Sequence, residues 1–206
     1  MCDVVGIDVK IVNGFGRSND MDLEDLEYPN HAWNIVKLNE KWYLCDPTWA
    51  SGSQNAETLE FVFQYNDGFF LAEPELFSIN HFPIESNWVL HDNNEQSFSE
   101  FLKAPVIYGN AYKNLKQHNA PKLLYNTVKK HENIIFEYEL QNSIKVGTVT
   151  FLIDNGYNTK TIKPTYTQVD KNSLVLGYKF NTTGMYDLHV LIGDDLISTY
   201  TFQVKG

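Results

Sequence analysis

An imidazole and a carboxylate in one strand-rich stretch are the side chains of this sequence best suited to chemistry. They are His31 and Asp46, within His31-Ala32-Trp33-Asn34-Ile35-Val36-Lys37-Leu38-Asn39-Glu40-Lys41-Trp42-Tyr43-Leu44-Cys45-Asp46-Pro47-Thr48-Trp49. A carboxylate that accepts a hydrogen bond from one ring nitrogen fixes the tautomer and steadies the protonated ring, leaving the other nitrogen to take a proton from a nucleophile. Both residues also have an ordinary structural use. A histidine among aromatic residues in a hairpin is commonly a packed side chain, and Asp before Pro commonly opens a turn.

The element that must bring them together is a β-hairpin. Asn39-Glu40 separates two runs rich in Trp, Tyr, Ile and Val, and a two-residue turn needs the positive φ that Asn tolerates. With that turn, Leu38 faces Lys41, Val36 faces Tyr43, Trp33 faces Asp46 and His31 faces Thr48. His31 and Asp46 become diagonal neighbours on one face, about 7 Å apart at Cβ. By the same parity Cys45 points to the other face, and Trp33 shares the face of His31, either as a cleft wall or as core.

The stretch resembles the His and Asp motifs of the transglutaminase-like superfamily, cysteine enzymes with a papain-like core. The likeness rests on His31-Ala32-Trp33-Asn34, then Trp42-Tyr43-Leu44 and Asp46-Pro47-Thr48-Trp49. Upstream, Cys2-Asp3-Val4-Val5-Gly6-Ile7 and Val9-Lys10-Ile11-Val12-Asn13-Gly14-Phe15-Gly16 resemble the end of the family's nucleophile helix and the strand after it. Downstream, Glu73-Pro74-Glu75-Leu76-Phe77, His81-Phe82-Pro83 and Trp88-Val89-Leu90 are similar to bacterial relatives of the kyphoscoliosis-peptidase branch. The resemblance implies a Cys-His-Asp triad with His31 as base and Asp46 as its orienter. It also implies thiolate attack on a peptide or glutamine side-chain carbonyl through an acyl-enzyme, a protein or peptide substrate, and neither cofactor nor metal.

The match has a gap. The family's Cys-x-Gly-Tyr-like nucleophile motif would fall ahead of Met1, so either the chain begins late within a longer one or the lineage has lost that helix. Cys2, at a free terminus with no helix dipole to lower its pKa, is a poor substitute. The expectation is a triad of which His31 and Asp46 remain, inactive as it stands. The alternative is a non-catalytic protein-binding or surface-assembly module built on the same scaffold.

Along the chain, residues 7–13 read as a strand closed by Asn13-Gly14-Phe15-Gly16. The acidic run Met21-Asp22-Leu23-Glu24-Asp25-Leu26-Glu27 reads as a solvated loop or helical turn at the rim of a cleft. Phe61-Val62-Phe63-Gln64-Tyr65 and Phe69-Phe70-Leu71 flank Asn66-Asp67-Gly68, a hairpin signal, and Pro74 suits the first position of a short helix through Ile79. His81, His91 and Asp92 could be weighed as a metal set, but their spacing has no helical i, i+4 face, and structural or surface histidine is the reading. Ser97-Phe98-Ser99-Glu100 is a capping box for a helix that Pro105 stops. The breaker-rich tract 109–121 reads as a linker.

Beyond it, short alternating runs at residues 134–140, 149–153, 174–180 and 186–192, with turns at Asn155-Gly156, Thr183-Gly184 and Gly193-Asp194-Asp195, indicate an antiparallel sandwich. The expected architecture is therefore an α+β, papain/transglutaminase-like core with an antiparallel sheet over 1–108, a linker over 109–121, and an all-β, immunoglobulin-like sandwich over 122–206.

Composition limits the remaining classes. The 206 residues are 43% hydrophobic and 14% aromatic, enough for a substantial core. The net charge is −10, and Arg17 is the one arginine among sixteen Lys and Arg, so no clustered cations offer a nucleic-acid footprint. The sequence has no apolar run long enough to span a bilayer. Two cysteines could make at most one bridge, so no disulfide framework is implied. An immunoglobulin-like module favours export, to the exterior or a periplasm, without fixing a compartment.

Overall fold

The computed structural model describes residues 2–17, 28–55, 58–90, 96–142 and 148–206. The acidic run Met21–Glu27, with His91 and Asp92, lies outside the described residues. The chain divides into two compact units, Met1–Phe101 and Leu102–Gly206.

In the first unit the elements are β1 (Val9–Gly16), β2 (His31–Leu38), β3 (Lys41–Cys45), α1 (Pro47–Ser51), β4 (Gly52–Gln54), β5 (Phe61–Phe63), β6 (Phe70–Ala72), α2 (Pro74–Asn80) and β7 (His81–Pro83). The principal sheet has five strands in the order β6-β3-β2-β1-β7. Its centre is the expected hairpin, with Val36 opposite Tyr43 and Leu38 opposite Lys41. Asn39 and Glu40 take φ of 49° and 63°, the left-handed pair that matches the twist of the flanking strands.

The hairpin ladder stops at Asn34 opposite Cys45. The expected pairings of Trp33 with Asp46 and His31 with Thr48 do not form, because Asp46-Pro47 opens α1 instead. Val12, Trp33, Ile35 and Leu44 are buried on one face of the sheet and pack with Leu76 and Phe77 of α2 in the core. Each such side chain contributes about 1.5–3 kcal/mol on burial.

A second local expectation fails for a clear reason. Residues 61–65 and 69–71 are not two arms of one hairpin: β5 pairs with β4, while β6 pairs with β3. The Asn66 side-chain oxygen accepts from the Gly68 amide at 3.0 Å and caps a 3-10 turn over Asp67–Phe69, which carries the chain from one sheet to the other.

The division between the units falls within α3 (Phe98–Lys103), which opens on the Ser97 and Glu100 capping box. The second unit continues through β8 (Val106–Ile107), α4 (Ala111–Asn114), β9 (Leu115–Ala120), β10 (Tyr125–Lys129), β11 (Ile134–Leu140), β12 (Val149–Asp154), β13 (Thr159–Ile162), β14 (Tyr166–Asp170), β15 (Ser173–Tyr178), β16 (Gly184–Ile192) and β17 (Asp195–Lys205). One sheet runs β10-β17-β16-β12-β13 with β8 on β17, the other β14-β15-β11-β9. They form a sandwich whose interior joins Phe136 of β11 to Phe151, Tyr200 and Phe202 of the facing sheet. The tract read as a linker, 109–121, contains α4 and β9, and β9 pairs with β11.

The α+β, papain-like core expected from the sequence is not the architecture that forms. The described chain is mostly antiparallel β, and its longest described helix is the seven-residue α2. Period-two alternation of apolar residues dominates. Gly52, with φ of 146°, stops α1 after little more than a turn, and α2 runs straight into β7.

Candidate functional site

Three side chains converge at one end of the five-stranded sheet. His31 is the first residue of β2, Asp46 follows the last residue of β3, and His81 joins α2 to β7. Asp46 is held firmly. Its amide donates to the Phe69 carbonyl at 3.0 Å, and its Oδ1 accepts from the Trp49 amide at 3.0 Å as the N-cap of α1. That cap aims Oδ2 back at the sheet, where it lies 2.6 Å from His31 Nε2 and 2.9 Å from His81 Nε2.

The environments of the two rings differ. The His31 side chain is 13% exposed, and its ring stacks on Trp49 with centroids 4.7 Å apart. Its Nδ1 makes no hydrogen bond to the described residues. His81 is fully buried, its ring flat against Phe77 at 3.6 Å and edge-on to Trp33 at 5.1 Å. Its Nδ1 lies 3.2 Å from the Phe77 carbonyl oxygen. Trp33 itself is buried, packed against Phe77 and His81, and its indole N–H has no hydrogen-bond partner among the described residues.

Glycine lets the cluster close. On β1, Gly16 pairs with His81 and Gly14 with both His31 and Pro83. A Cβ on Gly14 would meet the Phe82 carbonyl at 2.3 Å and the Trp33 ring at 2.6 Å, and one on Gly16 would meet His31 at 2.8 Å. Two bare positions, two residues apart on one face, let rings from the neighbouring strands lie across β1.

Burial by itself raises the pKa of the Asp46 carboxyl. Hydrogen bonds from His31 and His81, the positive charge His81 can carry and the Trp49 amide outweigh it and hold the group well below the usual carboxylate range. Burial also pushes His81 down, against the pull of Asp46. The result is an ionised carboxylate shared by two imidazoles. Such a group can orient a general base, and the three donor atoms, all within 4.8 Å of one another, could hold a metal ion.

The two cysteines, Cys2 and Cys45, are free. They line a cavity of about 700 Å³ together with Ile11, Asn34, Phe63 and Phe70. Asn34 and Cys45 are paired across the hairpin, and side chains alternate along β2, so this is the opposite face from Trp33 and His31. Burial raises the Cys45 thiol above its ordinary pKa, which keeps it protonated.

His81 is the member of the cluster that the sequence reading weighed with His91 and Asp92 and set aside as a structural or surface histidine, without joining it to His31 and Asp46. Its signal was indirect: the alternating glycines of Gly14-Phe15-Gly16 call for bulky neighbours across β1, but nothing local says that β7 supplies one.

No family model matches the chain. The sequence is similar to kyphoscoliosis peptidase of Mus musculus, 40% identical over 94 residues, which is 44% of this chain and 14% of that protein. It is also similar to kyphoscoliosis peptidase of Homo sapiens, 37% identical over 120 residues, 52% of this chain and 18% of that protein. These matches support at most a distant, transglutaminase-like relationship. It spans less than a fifth of the length of these relatives. Among solved structures, the Lin-41 filamin domain matches 38% of this chain and 82% of its own at 16% identity, with a TM-score of 0.31. Among the described residues no helix is long and apolar enough to cross a membrane.

Proposed function

We propose that His31 and Asp46 are the general base and its orienter in a transglutaminase-like, thiol-dependent acyl-transfer site that acts on a protein or peptide carbonyl. The observation that carries this reading is the 2.6 Å contact between His31 Nε2 and a buried, ionised Asp46. It leaves His31 Nδ1, on a partly exposed ring, to take the proton of a thiol. The thiolate would attack the carbonyl carbon, and the imidazolium would return its proton to the leaving amine. Water or a second amine would then release the acyl group.

The thiol of this triad would come from a segment other than residues 1–206, since Cys2 and Cys45 line the opposite face. Residues 1–206 alone would therefore carry the base without turnover. The test is alkylation by iodoacetamide of a longer polypeptide that includes the chain preceding residue 1. The reading expects one thiol to react fast in a His31-dependent way, and it fails if no thiol loses reactivity in His31→Ala.

One observation favours a second reading, a non-catalytic protein-binding module. The cavity on the other face of the sheet is lined by exposed apolar side chains, with Ile11 and Phe63 each 72% exposed, and patches of this kind commonly meet a partner. Retained peptide binding together with absence of any reactive thiol would support it.

A further inference from the structure

The contacts of His81 point beyond proton transfer. Its Nδ1 faces the Phe77 carbonyl oxygen at 3.2 Å, an oxygen that can only accept, so a hydrogen bond there needs the ring hydrogen on Nδ1. In a neutral ring Nε2 then presents a lone pair, and it presents it to Asp46 Oδ2 at 2.9 Å. One ring hydrogen cannot serve both contacts: on Nδ1 it leaves two lone pairs facing each other at 2.9 Å, and on Nε2 it leaves the Phe77 contact without a donor. A permanent imidazolium would answer the conflict, but at a side chain with no exposure, with one carboxylate that His31 also shares. A metal ion answers it without a buried proton. Histidine ligands to metals characteristically donate their second nitrogen to a backbone carbonyl or carboxylate, which is the outer contact Phe77 makes here.

We propose that His31 Nε2, Asp46 Oδ2 and His81 Nε2 form a binding site for a borderline divalent cation of the zinc class. Two imidazoles and one carboxylate suit such an ion and not calcium or magnesium, which prefer an all-oxygen shell. The three donors already lie within 4.8 Å of one another. Ligands about 2.0–2.1 Å from a tetrahedral ion lie about 3.3–3.4 Å from one another, so the 2.6 and 2.9 Å contacts must open by about 0.4–0.8 Å. His31 is the member free to move, because it is partly exposed and sits at the first position of its strand. Its exposed side is where a fourth ligand, water, would enter. A cation on His31 Nε2 leaves the ring's hydrogen on Nδ1 and so removes the lone pair that a base would use. The site does not rest on the acyl-transfer reading, since it needs no thiol.

The test uses the whole 206-residue chain, stripped with chelator and titrated with zinc by calorimetry and with cobalt by visible spectroscopy. The expected result is one ion per chain, with cobalt ligand-field bands and no thiolate-to-cobalt charge transfer. Binding should weaken at least about 100-fold in His31→Gln, more than an outer contact contributes, and in His81→Gln, with folding checked by circular dichroism. It should persist in the Cys2→Ser, Cys45→Ser double variant. Absence of stoichiometric binding, undiminished binding in a folded His31→Gln chain, or loss of binding in the cysteine double variant would each overturn the proposal.

Discussion

Gly16 lies so close to His31 that a Cβ on it would come within 2.8 Å of the ring's Cγ and 2.9 Å of its Cδ2. Neither backbone can give way easily, so the ring must. The Asn30 side chain accepts from the Gly16 amide at 2.8 Å and donates to its carbonyl at 3.0 Å, which locks β1 against the residue that precedes His31. Gly16→Ala should therefore cost about 1–3 kcal/mol of stability, as overpacking does, and push the His31 ring away from Asp46. Urea unfolding gives the first quantity and the imidazole proton shifts of His31 the second. A variant of unchanged stability with an unmoved ring would show that β1 can slide.

Asp46 performs two tasks with one carboxylate, capping α1 and serving His31 and His81. The tasks separate by substitution. Asp46→Asn keeps an oxygen for the Trp49 amide and loses the charge, whereas Asp46→Ala loses both. The cap is worth about 0.5–2 kcal/mol, and leaving the buried His81 ring unpaired adds about 1–3 kcal/mol. Asp46→Ala should thus cost about 2–4 kcal/mol, and Asp46→Asn clearly less. Equal losses in the two variants, measured by denaturant titration, would mean that the cap contributes nothing.

In the second unit, His118 Nε2 meets the Tyr200 hydroxyl at 2.8 Å, and Tyr200 meets Tyr138, which reaches Ser198 at 2.8 Å. Burial, with some help from the charge of Lys122, lowers the His118 pKa to about 3. The folded pKa lies below the unfolded value near 6.5, so between about pH 6.5 and pH 3 the unfolded chain binds more protons. Stability is fully present above that window and falls as the pH drops through it, by at most about 1.4 kcal/mol per unit. Other groups titrate in the same range, so the comparison is with His118→Gln. Its slope between pH 6.5 and 5 should be shallower, and identical slopes would assign the acid sensitivity elsewhere.

Local structure was legible in the sequence wherever one residue decides it. Asn39-Glu40 set the hairpin turn and its register, Ser97 and Glu100 formed their capping box, and the alternation around Phe136, Phe151 and Val190 marked three sandwich strands. What could not be read was which distant strands become neighbours. Alternation gives a strand its faces but not its partner, so the pairing of Gly16 with His81 stayed hidden, and with it the second imidazole on Asp46. The same blindness joined β5 to β6 in one expected hairpin when their partners are β4 and β3. The helix-rich core came from resemblance, and the residues present build antiparallel strands instead.

The two faces of the first sheet can be told apart by a substitution that spares the histidine cluster. Ile11 is 72% exposed and Phe70 62% exposed, and both line the 700 Å³ cavity, which reaches Asp46 but lies on the face of β2 opposite His31 and Trp33. Exposed positions of this kind contribute little to folding, so Ile11→Gln and Phe70→Gln should each change stability by no more than about 0.5 kcal/mol. The pair together removes much of the apolar lining, and binding of a hydrophobic dye such as ANS to the folded chain should fall several-fold. The His31 imidazole shifts should stay where they are, because the side chains of β2 alternate between the faces. Dye binding that survives both substitutions would place the exposed apolar surface elsewhere, and a shift at His31 would show that the faces communicate through the sheet.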